Sequence, residues 1–266
     1  MHFHYRRVSF FVVNSVVVLA LSFIMDFFFK HPTTIQVSGP TGCETTWFVR
    51  RILEEQLVKP FPTRIIWVYS EWQPDYDQVR ALYPQAEFIH GWHEEIYGSI
   101  KPDERNLLIL DDQIDEAGES KTFAKLFTKG SHHRNLTVIY LVQNVFNQAR
   151  SQRTVSLNSH YNVVFRNKRD ASQFRTLAYQ MCPENARWLL DAFKHCTKRP
   201  YGFLILDFHP TTNEERSVLT NVLPGEGGLT YCQERGAPIN TWAARLHKWP
   251  RNHPDGKAAE QETESD

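Results

Sequence analysis

Residues 106–111 (NLLILD) and 137–142 (TVIYLV) are apolar almost without a break. A strand with one wet face alternates apolar and polar residues. Strands written like these must be covered on both faces, as in a parallel sheet held between two layers of helix. Further strand patterns fall at 33–38, 64–69 (RIIWVY), 86–90, 161–165 and 201–208 (YGFLILDF). Helical patterns separate them. Phe48, Ile52, Leu53 and Leu57 mark a helix from about 46 to 58, stopped by Pro60 and Pro62, and 121–127, 170–180 and 183–195 also read as helices. Strands alternating with helices predict an α/β fold, a doubly wound and mostly parallel sheet flanked by helices. No internal repeat is visible, and 266 residues suit one such domain with tails.

The first of these strands runs through Gly39-Pro40-Thr41-Gly42-Cys43-Glu44-Thr45-Thr46 into a helix. That is the setting of the phosphate-binding pattern G-x-x-x-x-G-K-[ST], and it narrows the expected fold to a P-loop NTPase. Gly39, Pro40, Thr41, Gly42, Cys43, Thr45 and Thr46 form the candidate nucleotide-binding set. The first glycine and the closing threonine match. The second glycine is replaced by Glu44 and the lysine by Thr45. Backbone N–H groups at a helix N-terminus cradle phosphates, and the lysine adds positive charge. Thr45 adds none, while Glu44 carries a carboxylate. Two like charges ~4 Å apart at an effective dielectric of about 20 repel by about 4 kcal/mol. The phosphate grip is therefore expected to be weakened. For this stretch alone, an ordinary Gly/Pro turn is the alternative.

The strand 106–111 ends in Asp111-Asp112. The first carboxylate would emerge at the C-terminal edge of the sheet, where it can hold Mg²⁺. The second can polarise an attacking water. The competing reading is a plain strand with an acidic turn. Gln143 and Asn144 end the strand 137–142, where an amide can sense a γ-phosphate or position water; Asn144 also suits a helix cap. Arg150 and Arg153 follow, either as arginine fingers across a subunit boundary or as solvated surface residues. Residues 125–134 (KLFTKGSHHR) combine basic and aromatic groups that can meet DNA phosphates or stand as a solvated helix end.

Residues 8–25 are apolar over nearly the length a bilayer requires, behind Arg6 and Arg7. They read as a transmembrane anchor, as a signal peptide, or as an extension upstream of a working start at Met25. The expected layout is a hydrophobic extension at 1–24, an NTPase-like domain at 25–224 and a polar, partly disordered tail at 225–266. Lysine plus arginine balance aspartate plus glutamate at 30 each, which argues against a strong global attraction to nucleic acid and leaves local patches open. Cys43, Cys182, Cys196 and Cys232 have no metal-site spacing and are expected to be free thiols.

The segments FKHPTTIQVSGPTGC, RIIWVYSEWQP, LLILDDQIDE, LFTKGSHHRNLTVIYLVQNVF, QRTVSLNSHYNVVFRNKRD and YGFLILDFHP span about three quarters of the chain. Together they resemble the DNA-packaging ATPases of Polinton/Maverick and adintovirus-like elements, in the FtsK/HerA-type group that includes poxvirus packaging ATPases. The resemblance implies a ring-forming homo-oligomer that uses ATP and Mg²⁺ to drive double-stranded DNA into a capsid. It implies that Thr46 and Asp111 serve Mg²⁺, that Asp112 activates water and that Gln143 is the sensor. The family carries Gly-Lys where this chain has Glu44-Thr45, which implies impaired hydrolysis, a pseudo-enzyme. The alternative is an inactive, membrane-tethered scaffold or binding protein, with the membrane met through residues 8–25. A chain starting at Met25 would work in the nucleus or virion; one retaining the N-terminal segment would be a single-pass membrane protein.

Overall fold

The computed structural model describes residues 5–13, 16–23, 27–40, 44–111, 121–144, 155–213 and 216–232. Six strands form a parallel block: β4 (Thr34–Ser38), β6 (Arg64–Tyr69), β7 (Glu87–His90), β8 (Asn106–Asp111), β9 (Leu136–Val142) and β10 (Tyr161–Phe165). Their order across the sheet is β10-β4-β9-β8-β6-β7, and β3 (Phe29–Lys30) and β5 (Val58–Lys59) pair in a separate two-stranded parallel sheet. The fold is a doubly wound α/β domain with a large, mostly parallel sheet flanked by helices.

Period-two side-chain alternation explains the double covering. Trp67 and Ile109 point to one face, where they join Ile35 and Val37 against Phe48, Ile52 and Val79. Those last residues belong to α1 (Thr45–Glu54) and α2 (Pro74–Leu82). Val68, Leu108 and Val138 point to the other face, against Ile96, Phe123 and Leu126. These come from α3 (Glu94–Ser99), α4 (Lys121–Lys125) and the π-helical turn Leu126–Gly130 that continues α4. A third cluster sets Phe174 of α5 (Ser172–Met181) and Leu189 of α6 (Ala186–Cys196) over Leu204 and Leu206.

The order of the parallel strands determines where a ligand can sit. From β4 the chain crosses beyond β9 and β8 to build β6 and β7, then returns to fill in β8 and β9. From β9 it crosses to the other side of β4 and builds β10. The connections leaving β4 and β9 thus run in opposite directions, and a crevice opens between the carboxyl ends of the two strands. Open α/β sheets bind their ligands at such a switch point.

Beyond β10 the sheet turns antiparallel through β11 (Phe203–Asp207), β12 (Val218–Thr220) and β13 (Leu229–Cys232). It ends in a hairpin of β1 (Tyr5–Val13) and β2 (Val16–Phe23), with β2 paired to β13. This corrects the transmembrane-helix expectation for residues 8–25. The stretch forms strands, and among the described residues no helix is long and apolar enough to cross a membrane. The reason is compositional and local. Val12, Val13, Val16, Val17 and Val18 are β-branched and favour extended backbone, and β13 pairs with β2 through residues 19–22. Of the expected tail, 225–266, residues 225–232 are described and include β13, and 233–266 lie outside the described residues.

Candidate functional site

At the switch point, β4 ends in Ser38 and hands the chain to Gly39, whose N–H donates to the Val142 carbonyl at 3.0 Å. The turn is thereby fastened to the neighbouring strand end. Thr41, Gly42 and Cys43 lie outside the described residues. The chain re-enters at Glu44, the N-cap of α1, with φ 69° and ψ 32°. This is left-handed backbone, which glycine adopts freely and other L-residues only at a cost. The position therefore has a backbone geometry that suits glycine, the residue the phosphate-loop pattern places there. The Glu44 carbonyl accepts the first helical bond, from Phe48 N–H at 2.9 Å, and its side chain makes no cap bond.

At the second residue of the helix, the Thr46 hydroxyl donates to Asp111 Oδ2 at 3.3 Å. Both residues are buried, Thr46 at 8% and Asp111 at 5% exposure. β8 carries Asp111 to the same edge of the sheet as the loop. The Tyr76 hydroxyl on α2 donates to the same Oδ2 at 2.8 Å. Two donors from two helices meet this carboxylate; the shorter, from Tyr76, is a charge-assisted bond of the kind worth about 1.5–3 kcal/mol, and the Thr46 contact is the weaker. Tyr76 carries no motif, and nothing in the sequence marked it. Tyr76→Phe is expected to lower stability by about 2 kcal/mol and the unfolding midpoint by about 4–8 °C. Differential scanning fluorimetry checks this; an unchanged midpoint would show that Asp111 does not depend on the phenol.

A cleft of about 350 Å³ opens here, lined by Gly39, Pro40, Thr45 and Thr46 from the loop, by Asp111, and by Gln143 at the end of β9. Glu44 and Asp75 also line it, and among the described residues no cationic side chain does. Asp75 is paired with Arg50 Nε at 2.9 Å. Glu44 is solvent-exposed, so its repulsion of a phosphate falls towards the value in water, about 1 kcal/mol at 4 Å. The full penalty expected for a dry site does not apply.

The cleft suits a divalent cation better than it suits phosphate. Cis ligands of an octahedral Mg²⁺, each at about 2.0–2.1 Å, stand about 3 Å apart. The Thr46 hydroxyl and the Asp111 carboxylate meet that spacing. Among the described residues a polyphosphate would meet the α1 N-terminus, and Thr45 offers no charge in place of the lysine.

Of the residues selected from the sequence, Gly39, Pro40, Thr45, Thr46, Asp111 and Gln143 are gathered around one cleft. Asp112, Arg150 and Arg153 lie outside the described residues. Asn144 Oδ1 accepts from Gln173 Nε2 at 3.0 Å, which ties this strand end to α5. Within 125–134, Arg134 is committed to structure. Its Nη1 donates to the Tyr97 and Ile100 carbonyls, both at 2.9 Å, and its guanidinium stands 4.1 Å from the Tyr97 ring centroid. A DNA contact through Arg134 would have to break that clamp.

Sequence reasoning also missed a second, larger cleft of about 890 Å³ on the β10 side of the loop. It is built by the turns after β10 and before β11, and it shares Pro40 and Gln143 with the first cleft. The basic run Arg166–Arg169 directly after a buried strand was the available signal.

No protein-family model matches the chain, and no curated protein matches it. Among solved structures, the chain is similar to the genome packaging NTPase B204 from Sulfolobus turreted icosahedral virus 2 in complex with ATP-gammaS. The identity is 13%, the match covers 68% of this chain and 95% of that one, and the TM-score is 0.48. It is similar to B204, the DNA-packaging ATPase from Sulfolobus turreted icosahedral virus, at 10% identity, 80% and 100% coverage and a TM-score of 0.47. It is also similar to the flagellar accessory protein FlaH from Methanocaldococcus jannaschii, at 8% identity, 76% and 90% coverage and a TM-score of 0.43.

Proposed function

We propose that the chain is a P-loop NTPase of the DNA-packaging type, a ring-forming homologue of double-stranded DNA translocases, in which Glu44 and Thr45 impair ATP hydrolysis. The observation that carries this reading is the bond between Thr46 and Asp111. Residues 65 positions apart meet as a hydroxyl and a carboxylate at the carboxyl edge of a doubly wound sheet. That pairing supports the family resemblance seen in the sequence.

In this reading Thr46 and Asp111 hold Mg²⁺, which when bound neutralises charge on the nucleotide's terminal phosphates. Tyr76 keeps the Asp111 carboxylate oriented. Gln143 lines the cleft at the end of β9, where its amide can place a water or register a γ-phosphate. Asp112 is the base of the ancestral reaction and Arg150 or Arg153 its arginine finger, in keeping with the resemblance. The loop retains the fastening of Gly39 and the helix N-terminus but lacks lysine's charge, so nucleotide is held weakly and turnover is lost.

The test is calorimetric titration of the purified full chain with ATP, with and without Mg²⁺, followed by phosphate release with duplex DNA present. The expected result is weak binding that Mg²⁺ strengthens, loss of that increment in Asp111→Asn, and no DNA-stimulated turnover. Turnover that Asp112→Asn abolishes would overturn the impairment. A magnesium effect that survives Asp111→Asn would overturn the site.

A further inference from the structure

The two adjoining clefts are opposite in charge. Among the described residues, the cleft at Thr46 and Asp111 is lined by carboxylates and by no cation, whereas the larger cleft is lined by Arg166, Lys168, Arg169, Lys198 and Arg199 and by no carboxylate. Arg199 is paired with Glu226 at 2.8 Å. The other four have no ion pair among the described residues, and all four are solvent-exposed. Four unpaired cations facing one concavity repel one another, and a bound polyanion relieves that repulsion.

We propose that this basic cleft holds the phosphates of a nucleoside polyphosphate, with Arg166, Lys168, Arg169 and Lys198 supplying the charge that Thr45 does not. The inference rests on reading this sheet edge as a nucleotide site, and it moves the phosphates from the loop to the β10 side. Three observations support it. The cleft shares Pro40 and Gln143 with the cleft that contains the Thr46–Asp111 pair, so the two adjoin. Tyr201, 53% exposed, lines the same cleft and offers a ring face on which a base can stack. The turn carrying Tyr201 is packed hard against the end of α6, since a Cβ on Gly202 would fall 2.2 Å from the Cys196 carbonyl oxygen. The cationic turn is therefore presented by a close-packed support.

The experiment titrates the full chain with metal-free ATP and with inorganic tripolyphosphate. Arg166→Gln combined with Arg169→Gln is expected to weaken both probes by at least about tenfold. The unfolding midpoint should not fall, because among the described residues neither side chain has an ion pair to lose and their mutual repulsion is removed. Arg166→Lys with Arg169→Lys should recover much of the affinity. Tyr201→Ala should weaken ATP but not tripolyphosphate. Unchanged affinity in the double glutamine variant overturns the proposal. So does failure of the parent to bind tripolyphosphate, or displacement of labelled ATP by duplex DNA far more readily than by tripolyphosphate. Loss of the magnesium increment in Asp111→Asn is read separately. If it persists while the arginine variants have no effect, the loop site stands and only the basic cleft fails.

Discussion

Replacing Glu44 with glycine and Thr45 with lysine together is expected to raise the affinity for Mg-ATP at least about 100-fold. Lysine would add a charge-assisted contact worth about 1.5–3 kcal/mol, and removing the exposed Glu44 carboxylate about 1 kcal/mol more. At about 1.4 kcal/mol per decade these sum to two to three decades. The glycine carries a second consequence that needs no ligand. Glu44 sits at φ 69°, and left-handed backbone costs a side chain about 1–2 kcal/mol. Part of that is offset by the greater freedom of glycine in the unfolded chain. Glu44→Gly alone should therefore raise the unfolding midpoint by a few degrees. Calorimetry measures the first effect and a melting curve the second. A melting gain without an affinity gain would mean that the turn has the right backbone but is no phosphate site. In the repaired background the double arginine-to-glutamine variant should matter less, because the loop would again compete for the phosphates.

The parallel core was legible because it is buried on both faces. Strands such as 106–111 and 137–142 have no wet side, so their apolar runs leave one interpretation. The elements that went unread have weaker signals for physical reasons. α2 buries only Tyr76 and Val79, and α3 only Ile96, too few apolar positions to display a helical period. β12 and β13 are three and four residues long. The hairpin β1–β2 misled for the opposite reason: length and hydropathy suit a membrane span as well as two strands, and only pairing with β13 separates the two.

The site shows the same division. Thr46 and Asp111 could be selected because each closes a pattern tied to strand and helix ends. Tyr76 could not, since its role exists only once α2 lies across the sheet edge. Nor could the basic cleft be foreseen as a unit. Its halves, 166–169 and 198–199, are about thirty residues apart, and antiparallel pairing of Phe165 with Phe203 is what sets them side by side. The formal net charge of zero concealed a local separation of charge that becomes visible only when the chain is folded.

The largest stability effect should come from the residue that joins the loop helix to this antiparallel seam. Phe48 has no solvent exposure. Its ring centroid lies 4.7 Å from that of Phe203 and 5.9 Å from that of Phe165. The three rings fasten α1 to the β10–β11 pair, on the same helix that carries Thr46 two residues earlier. Phe48→Ala removes the ring and leaves a cavity that rigid neighbours on two strands cannot close, at a cost of about 3–5 kcal/mol. For a domain of this size that lowers the unfolding midpoint by roughly 10 °C. Tyr179→Ala is the matched control, because that ring is 55% exposed and its loss should stay within about 0.5 kcal/mol. The effect should also reach the site. With α1 released from the seam, the hold of Thr46 on Asp111 loosens, and the magnesium-dependent part of ATP binding should fall even at temperatures where the variant is folded. A fall of less than about 2 °C would mean that α1 is held from its other side, through Ile52 and Val49, and that the aromatic seam is not what positions the loop.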